Sequence, residues 1–546
     1  MSDVNISKVH VLNVPIDREY KHTFYFTNHT AQENYFNSKK VKSFTDFSYQ
    51  RKDSKMRIPV PFDEAIKYNY VMYQNKAYSD KWFYAFITDY EFKGEDSTNI
   101  TIETDVIQTW MFDYEIKPSF VEREHVNDDT IGLHTVPENV ELGEYIVKDQ
   151  VADDTIRDMA VIIGVSEKYT LRDEAPHVVF SHGVNVYNGI VGGVYYYAFK
   201  VEKTDESIQK IRDFLDKYSS AGRTDAIVCM FYYPYDLLTV NESNLVLGDF
   251  NTDSYEISDD IYLDKDIVYQ SHKVKNNKLL TYPYIYLLAS NNNGGSAIYQ
   301  YEHFNNSYGV EGVNRGSKIR FNVNACICPG GSIRMIPKYY KSLITYNEEE
   351  GLNLGKFPIC NWTSDVYTNW LTQNSVNIGL NMISGLGQVV AGVGMAVGTG
   401  GVGAAVGGST AVGGVSTIAG QVAQIYQMSM TPAQAKGNIN AGDVIGAQLK
   451  NRFTFYHMSI KEEYQQIIDD YFSAYGYKIN RVKVPNKNHR TYWWFTKTID
   501  VNIEGEIPLM DLQKIKDCYN NGITFWKGED NFKKYQLDNK IIEIIG

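Results

Sequence analysis

Cysteine is scarce in this chain, with five in 546 residues: Cys229, Cys326, Cys328, Cys360 and Cys518. Only Cys326 and Cys328 are close together, where a strand would point both to one face. No C-x-x-C pair occurs, which excludes a site built on paired cysteine ligands, and the five are read as buried free thiols. The usual signatures of chemistry are missing as well. There is no G-x-S-x-G elbow, no H-E-x-x-H and no P-loop. Eleven histidines are scattered from His10 to His489, none at i, i+4 spacing. Carboxylate pairs for glycoside cleavage are set by distance in space and leave no sequence spacing to read. No catalytic residue, metal ligand or cofactor is therefore assigned. Basic charge is also in short supply. Lys and Arg number 53 against 66 Asp and Glu, for a net charge of −13 and a pI near 5.4. General nucleic-acid binding relies on basic surfaces, so a gripping role is excluded. Passage of DNA is not, because an acidic wall repels phosphate instead of holding it. The first residues, MSDVNISKVHVLNVPID, lack the charged-then-apolar order of a signal peptide, so synthesis and folding in a cytoplasm are expected.

One long stretch lacks charge altogether. No Asp, Glu, Lys or Arg occurs between Asp365 and Lys436. About a third of the residues from Gly379 to Gly420 are glycine, and most others are Val, Ala, Ile, Leu, Met, Ser or Thr. Glycine costs a helix roughly 1 kcal/mol relative to alanine, so a dozen or so oppose an isolated helix by on the order of ten kcal/mol. A strand is weakened too, since glycine brings no side chain to pack. In water the run is predicted to be mobile or sheltered by other protein. In a bilayer, unpaired backbone groups are costly enough to force helix in spite of the glycines. Two segments have the roughly 20 residues a span needs: Val376–Val397 and Ala411–Met430, joined by Gly398–Thr410. The first carries Val376, Ile378, Leu380, Met382, Ile383, Leu386, Val389, Val390, Val393, Met395 and Val397. The joint adds Val402 and Val406. The second carries Val412, Val415, Ile418, Val422, Ile425, Met428 and Met430. Leu, Ile and Val each favour the bilayer centre by only about 0.3–0.6 kcal/mol, and Gly, Ser, Asn and Gln offset much of that. Conditional insertion is therefore favoured over a permanent anchor. The pairs Gly394/Gly398 and Gly403/Gly407 allow close helix approach. A flexible linker fits less well, because linkers are rich in Gly and Ser rather than Gly, Val and Ala. A buried core hairpin stays open as an alternative. The formal G-x-G-x-x-G match at Gly398–Gly403 opens no amphipathic helix, and the next acidic residue is Asp443, too distant for a ribose contact.

Around this insert the chain is polar and rich in tyrosine, 43 in all, which suits β-rich structure. Val9–Val14 and Thr23–Thr27 read as strands, and Thr30-Ala31-Gln32-Glu33 as a capping-box helix start. Lys81–Phe92 and Asn99–Trp110 read as a half-buried hairpin around Gly94-Glu95-Asp96-Ser97. Ser119–Tyr145 reads as a long polar connector; its Glu122, Glu124, His125, Asp128, Asp129 and His134 lack ligand spacing and are taken as solvated or inter-subunit. Asp205–Tyr218 is an amphipathic helix with Ile208, Ile211, Phe214 and Leu215 on one face. Beyond the insert, Ile460–Tyr475 is predicted as a helix burying Tyr464, Ile467, Ile468, Tyr471, Phe472 and Tyr475, and Pro508–Tyr519 as one burying Leu509, Leu512, Ile515 and Tyr519. Gly476 and Gly522 are their stops. Regular βαβ alternation is lacking, so the expected class is α+β, β-rich, with mostly antiparallel sheets. The expected divisions are residues 1–150, 151–365, the apolar loop 366–445 and 446–546.

Several phrases resemble a known family. They are VPIDREYKHTFYFTN at Val14–Asn28, TIETDVIQTW at Thr101–Trp110, and FVEREHVNDD with HTVPENVELGEY within Phe120–Tyr145. Near the other end they are YGYKINRVKVP at Tyr475–Pro485, YWWFTKT at Tyr492–Thr498 and IPLMDLQKIKDCYNNGITFW at Ile507–Trp526. With these the chain resembles the tail-knob, or tail-tube, proteins of small short-tailed bacteriophages of Gram-positive hosts. The middle, from about Gln150 to Asn361, matches weakly. The resemblance implies a virion protein at the distal end of the tail, a hexameric tube of β-rich domains around a channel for double-stranded DNA, in contact with other tail proteins. It further implies that an apolar loop from each subunit plugs the exit and later forms a pore in the host cell membrane. The other reading is a receptor-binding or wall-degrading tail protein whose insert packs in an oligomer core. A secreted pore-forming toxin is disfavoured by the missing export signal.

Overall fold

The computed structural model describes residues 7–47, 54–75, 81–153 and 452–542 continuously, and shorter pieces between 155 and 361. The chain forms two compact units. The first joins Met1–Gly143, Val268–Leu280 and Lys461–Gly546; the second joins Glu144–Ile267 and Thr281–Ile460. The class is α+β and β-rich.

In the first unit, six antiparallel strands lie in the order Lys40–Phe47, Ser7–Leu12, Tyr70–Asn75, Trp82–Gly94, Ser97–Thr104, Lys55–Ile58. Residues 83–86 are buried on both faces of the pleat, Phe83 and Ala85 in one cluster and Tyr84 and Phe86 in another. The predicted hairpin therefore forms, but its first strand is covered on two sides rather than one. Its second strand stops at Thr104. Asp105 then caps the short helix Val106–Trp110, its carboxylate accepting from the Gln108 N–H at 3.0 Å, the usual satisfaction of a helix's orphan donors. The first helix, His29–Ser38, is capped by Asn28 and not by Thr30. Asn28 has the extended backbone a cap needs, and its side chain accepts from the Ala31 N–H at 2.9 Å.

A second sheet of this unit draws strands from both ends of the sequence: His22–Phe24, Ile523–Trp526, Trp493–Ile499, Ser119–Glu124 and Tyr477–Lys483. Only the first pair is parallel. Trp493 and Trp526 are fully buried with ring centroids 4.9 Å apart. Such a pair adds about 0.5–1.5 kcal/mol beyond the area it removes from water. Helix Glu462–Tyr475 packs beside Trp493, whose indole donates to the Ser473 carbonyl at 3.2 Å. Helix Leu509–Asn521 contributes Ile515, Cys518 and Tyr519 to the core.

Among its described residues, the second unit has three four-stranded sheets. One runs Tyr145–Ala152, Thr454–Ile460, Ile285–Ser290, Ser296–Tyr299. Another runs Tyr195–Lys200, Met159–Val165, Ile227–Pro234, Ile359–Asn361, with Phe214 of helix Asp205–Ser220 against Tyr197 and Phe199. The third runs Tyr255–Ile257, Phe321–Asn324, Arg334–Pro337, Leu352–Asn353. Ile211, Phe214 and Leu215 are buried, as the amphipathic pattern predicts.

Candidate functional site

Every residue of the predicted membrane-active loop, from Val376 to Met430, lies outside the described residues, as does the whole of 362–451. Its two flanks are described. The last strand before it, Ile359–Asn361, is the edge of its sheet and pairs through Cys360 with Met230. The first strand after it, Thr454–Ile460, is an interior strand with neighbours on both sides, Phe455 lying opposite Val151 and Ala289. Phe453, Phe455 and Ile460 are fully buried, and His457 bonds through Nδ1 with the Tyr301 hydroxyl. Among the described residues no helix is long and apolar enough to cross a membrane.

The polar connector proves to be partly a strand. Ser119–Glu124 occupies an interior position of the five-stranded sheet, and its charged side chains are used inside the unit. Arg123 donates to the Gly476 carbonyl at 2.6 Å, pairs with Glu138, and lies 4.7 Å from the Tyr471 ring centroid. Glu138 also accepts from Lys278 Nζ at 2.6 Å and from the Lys478 N–H at 2.8 Å. Both Glu138 and Lys278 side chains are almost wholly out of water. Burial lowers the Lys278 ammonium below its ordinary range, and Glu138 counters this. Removing one partner of a buried pair costs about 3–5 kcal/mol, because it strands the other charge.

The remaining candidates have similar roles. Glu124 accepts from Lys483 Nζ at 2.6 Å and the Asn486 N–H at 2.7 Å. Burial raises its carboxyl, and Lys483 opposes that. His125 accepts the Phe495 N–H on Nδ1 at 2.8 Å, and its Nε2 lies 3.1 Å from the Ser473 carbonyl. This fits the neutral Nε2–H tautomer, and burial holds its pKa well below the ordinary value. Asp129 accepts from the Tyr477 hydroxyl at 2.7 Å and the Asn277 N–H at 3.0 Å. Glu122 pairs with Lys497 at 2.8 Å. Asp128 accepts from Thr130, and His134 Nε2 lies 2.8 Å from the Asp128 carbonyl. Among the described residues no three His, Cys, Asp or Glu side chains are grouped to hold a metal ion. These groups staple a long connector to the sheet. Periodicity missed the strand because Glu122, Arg123 and Glu124 mask the alternation that Val121 would otherwise display.

The first unit also holds a cavity of about 290 Å³ lined by aromatic rings, among them Tyr25, Tyr114, Trp494, Tyr519 and Phe525. Lys487 Nζ lies 5.7 Å from the Tyr25 ring centroid, and burial lowers its pKa. The Tyr114 and Tyr519 hydroxyls are 3.0 Å apart. Glu115, Asn486 and Thr496 add polar groups to the lining.

Known proteins resemble this chain. A family model for the C-terminal domain of the Bacillus phage phi29 tail knob protein gp9 matches residues 247–540, more than half of the chain. The chain belongs to the tail knob protein family. A second model, the Caudoviral major tail protein N-terminus, matches residues 5–115. The tail knob protein gp9 of Bacillus phage phi29 is 28% identical over 592 aligned positions, covering 97% of each chain. That of Bacillus phage B103 is 28% identical over 589, with the same coverage. Among solved structures, the bacteriophage C1 tail knob protein gp12 superposes with a TM-score of 0.59 at 14% identity, covering 98% of this chain and 100% of that one. That last likeness is one of fold. Family membership makes the chain a structural component of a phage tail knob. The alignment to the phi29 relative spans the middle of the chain as well as the two ends where phrases were recognisable.

Proposed function

We propose that copies of this chain assemble, together with other tail proteins, into a tail-tip channel, a hexamer, through which double-stranded DNA is ejected. Apolar loops, Val376–Thr431 of each subunit, plug the exit and then penetrate the host cell membrane. The observation that supports this most is the absence of any charge between Asp365 and Lys436 in a chain that is otherwise polar. A run this apolar is too costly to leave exposed in water and too rich in glycine for a permanent anchor. The acidic balance is consistent with a conduit, since a wall without basic clusters releases no counterions and does not hold a sliding duplex. The test is deletion of Gly379–Gln427 in the phage. Its flanks, Ile359–Asn361 and Thr454–Ile460, belong to ordered strands, so virions are expected to assemble with normal tails while genome delivery falls by orders of magnitude. Undiminished infectivity would sink the proposal. Virions without knobs would instead assign the loop to assembly.

A further inference from the structure

The aromatic cavity of the first unit has a floor, a wall and a roof, and each brings a polar group. Trp494 and Thr496 stand two residues apart on strand Trp493–Ile499, so their side chains share one face of the sheet. The Trp494 and Phe525 rings stack in the floor, their centroids 5.3 Å apart and their planes at 15°. Thr496 lines the cavity and is 1% exposed, and its hydroxyl has no hydrogen-bond partner among the described residues. Burying a hydroxyl without a partner is costly, so the position favours a polar occupant. Tyr25 forms a wall, its ring 4.9 Å from Trp494 at 73°. The Tyr25 hydroxyl is likewise unpaired among the described residues.

The roof is the turn at residues 484–487, and it is held in place from within the unit. Glu124 accepts the Asn486 N–H at 2.7 Å, and the Asn486 side chain donates to the His125 carbonyl at 3.1 Å. That anchoring sets Lys487 at the mouth, over the Tyr25 ring. Lys487 makes no ion pair or hydrogen bond among the described residues. Its ammonium is partly desolvated and no carboxylate offsets that cost. The carboxylate of the lining, Glu115, is already held by Lys117 at 2.7 Å, and its side chain is 75% exposed to water. One cation at the mouth is therefore left to meet an anion.

We propose that this cavity binds one acidic sugar ring, a hexose-sized monoanion bearing several hydroxyls. The carboxylate meets Lys487, the Thr496 and Tyr25 hydroxyls bond those of the ring, and its C–H edges lie against the aromatic walls. The volume of about 290 Å³ stands at the lower end of the roughly 300–1,000 Å³ usual for small-molecule sites, room for a single ring rather than a chain. A purely apolar occupant would leave the Thr496 hydroxyl and the Lys487 ammonium unanswered. A bare anion would leave the aromatic walls unfilled. Such a site is independent of whether the chain lines a channel.

The test is calorimetric titration of the full chain with glucuronic acid, with glucose as the uncharged ring and with acetate as the charge without a ring. Glucuronate is expected to bind, glucose to bind at least about tenfold more weakly for want of a charge-assisted hydrogen bond, and acetate not to bind measurably. Lys487→Gln should bring glucuronate down to the level of glucose and leave glucose unchanged. The side chain is exposed at the mouth, so thermal unfolding of this variant is expected to match the parent. Thr496→Val keeps the shape of the floor and should weaken both sugars roughly three- to tenfold. The site is overturned if glucuronate gives no binding heat, or if glucose or acetate binds as tightly as glucuronate. It is overturned as well if Lys487→Gln still prefers glucuronate, or if both variants titrate like the parent.

Discussion

Gly476 shows how much a single position can constrain. It ends helix Glu462–Tyr475 with φ 66 and ψ −155, a region open to glycine but strained for other residues. A Cβ there would collide with the Glu124 carbonyl oxygen and the His125 nitrogen, both backbone atoms that cannot swing aside. Gly476→Ala should therefore cost more than about 3 kcal/mol, since backbone strain alone contributes roughly 1–3. A urea midpoint unchanged by this substitution would contradict the described packing. Asp105 makes a different case. It is buried, caps Val106–Trp110 and accepts from the Tyr70 hydroxyl at 2.9 Å. Burial pushes its carboxyl up to about 6, against the pull of those hydrogen bonds. The native state then binds its proton at higher pH than the unfolded chain, so this group's contribution to stability falls as pH rises from about 4 to 6. Asp105→Asn keeps an acceptor oxygen for the Gln108 N–H, turns a donating amide toward the Tyr70 hydroxyl, and removes the titrating proton. Relative to the parent, the variant should gain a few kcal/mol as pH rises from about 4 to 7, at most about 1.4 kcal/mol per pH step of one. Tryptophan fluorescence in urea at several pH values reads this, as Trp82, Trp110, Trp493, Trp494 and Trp526 belong to the same unit. Parallel pH profiles for the two proteins would refute it.

At the scale of elements, helices were easier to find than to orient. Periodicity located Glu462–Tyr475, yet its buried residues are Gln465, Ile468, Asp469, Phe472 and Ala474, while Ile467 is 66% exposed. Two polar residues on the inner face explain the misreading. Asp469 is buried because it accepts from the Lys275 and Asn276 N–H groups at 2.9 and 3.1 Å and from the Asn276 side chain at 2.7 Å. Those partners come from a distant part of the chain, so hydropathy could not signal the burial. Leu509 misled in the same way, being exposed where Asp511 is buried. The corrected face makes a sharp contrast between neighbours. Ile468→Ala should cost about 2–5 kcal/mol as a core truncation, whereas Ile467→Ala should stay within about 0.5 kcal/mol. Similar urea midpoints for the two variants would argue against the orientation. Strand Ser119–Glu124 carries the same lesson, since its charged residues find partners on strands and loops far along the sequence.

At the scale of the whole molecule, the fold of a tail knob protein is kept over nearly the full chain at 14% identity. Persistence of such a β-rich frame leaves room for the apolar insert to act as a separate functional device. If it penetrates membranes, the purified full chain should release dye trapped in lipid vesicles, and the chain lacking Gly379–Gln427 should not. Equal leakage from both would place membrane activity elsewhere or nowhere.

What the sequence determined by itself was local or compositional: the charge-free run, the hairpin near Gly94, the helices and their glycine stops, and the α+β, β-rich class. These depend on side chains within one or two turns of each other, or on the cost of leaving apolar groups in water, and both can be read along the chain. The tertiary structure alone decided that strands from opposite ends of the chain share one sheet, that Arg123, Glu138 and Lys278 meet out of water, and which face of each helix is inward. The reason is that a buried polar group is stable only where a partner meets it, and its partner here lies hundreds of residues away in several cases, as with Trp110 and Asp511. Sequence distance carries no record of such meetings.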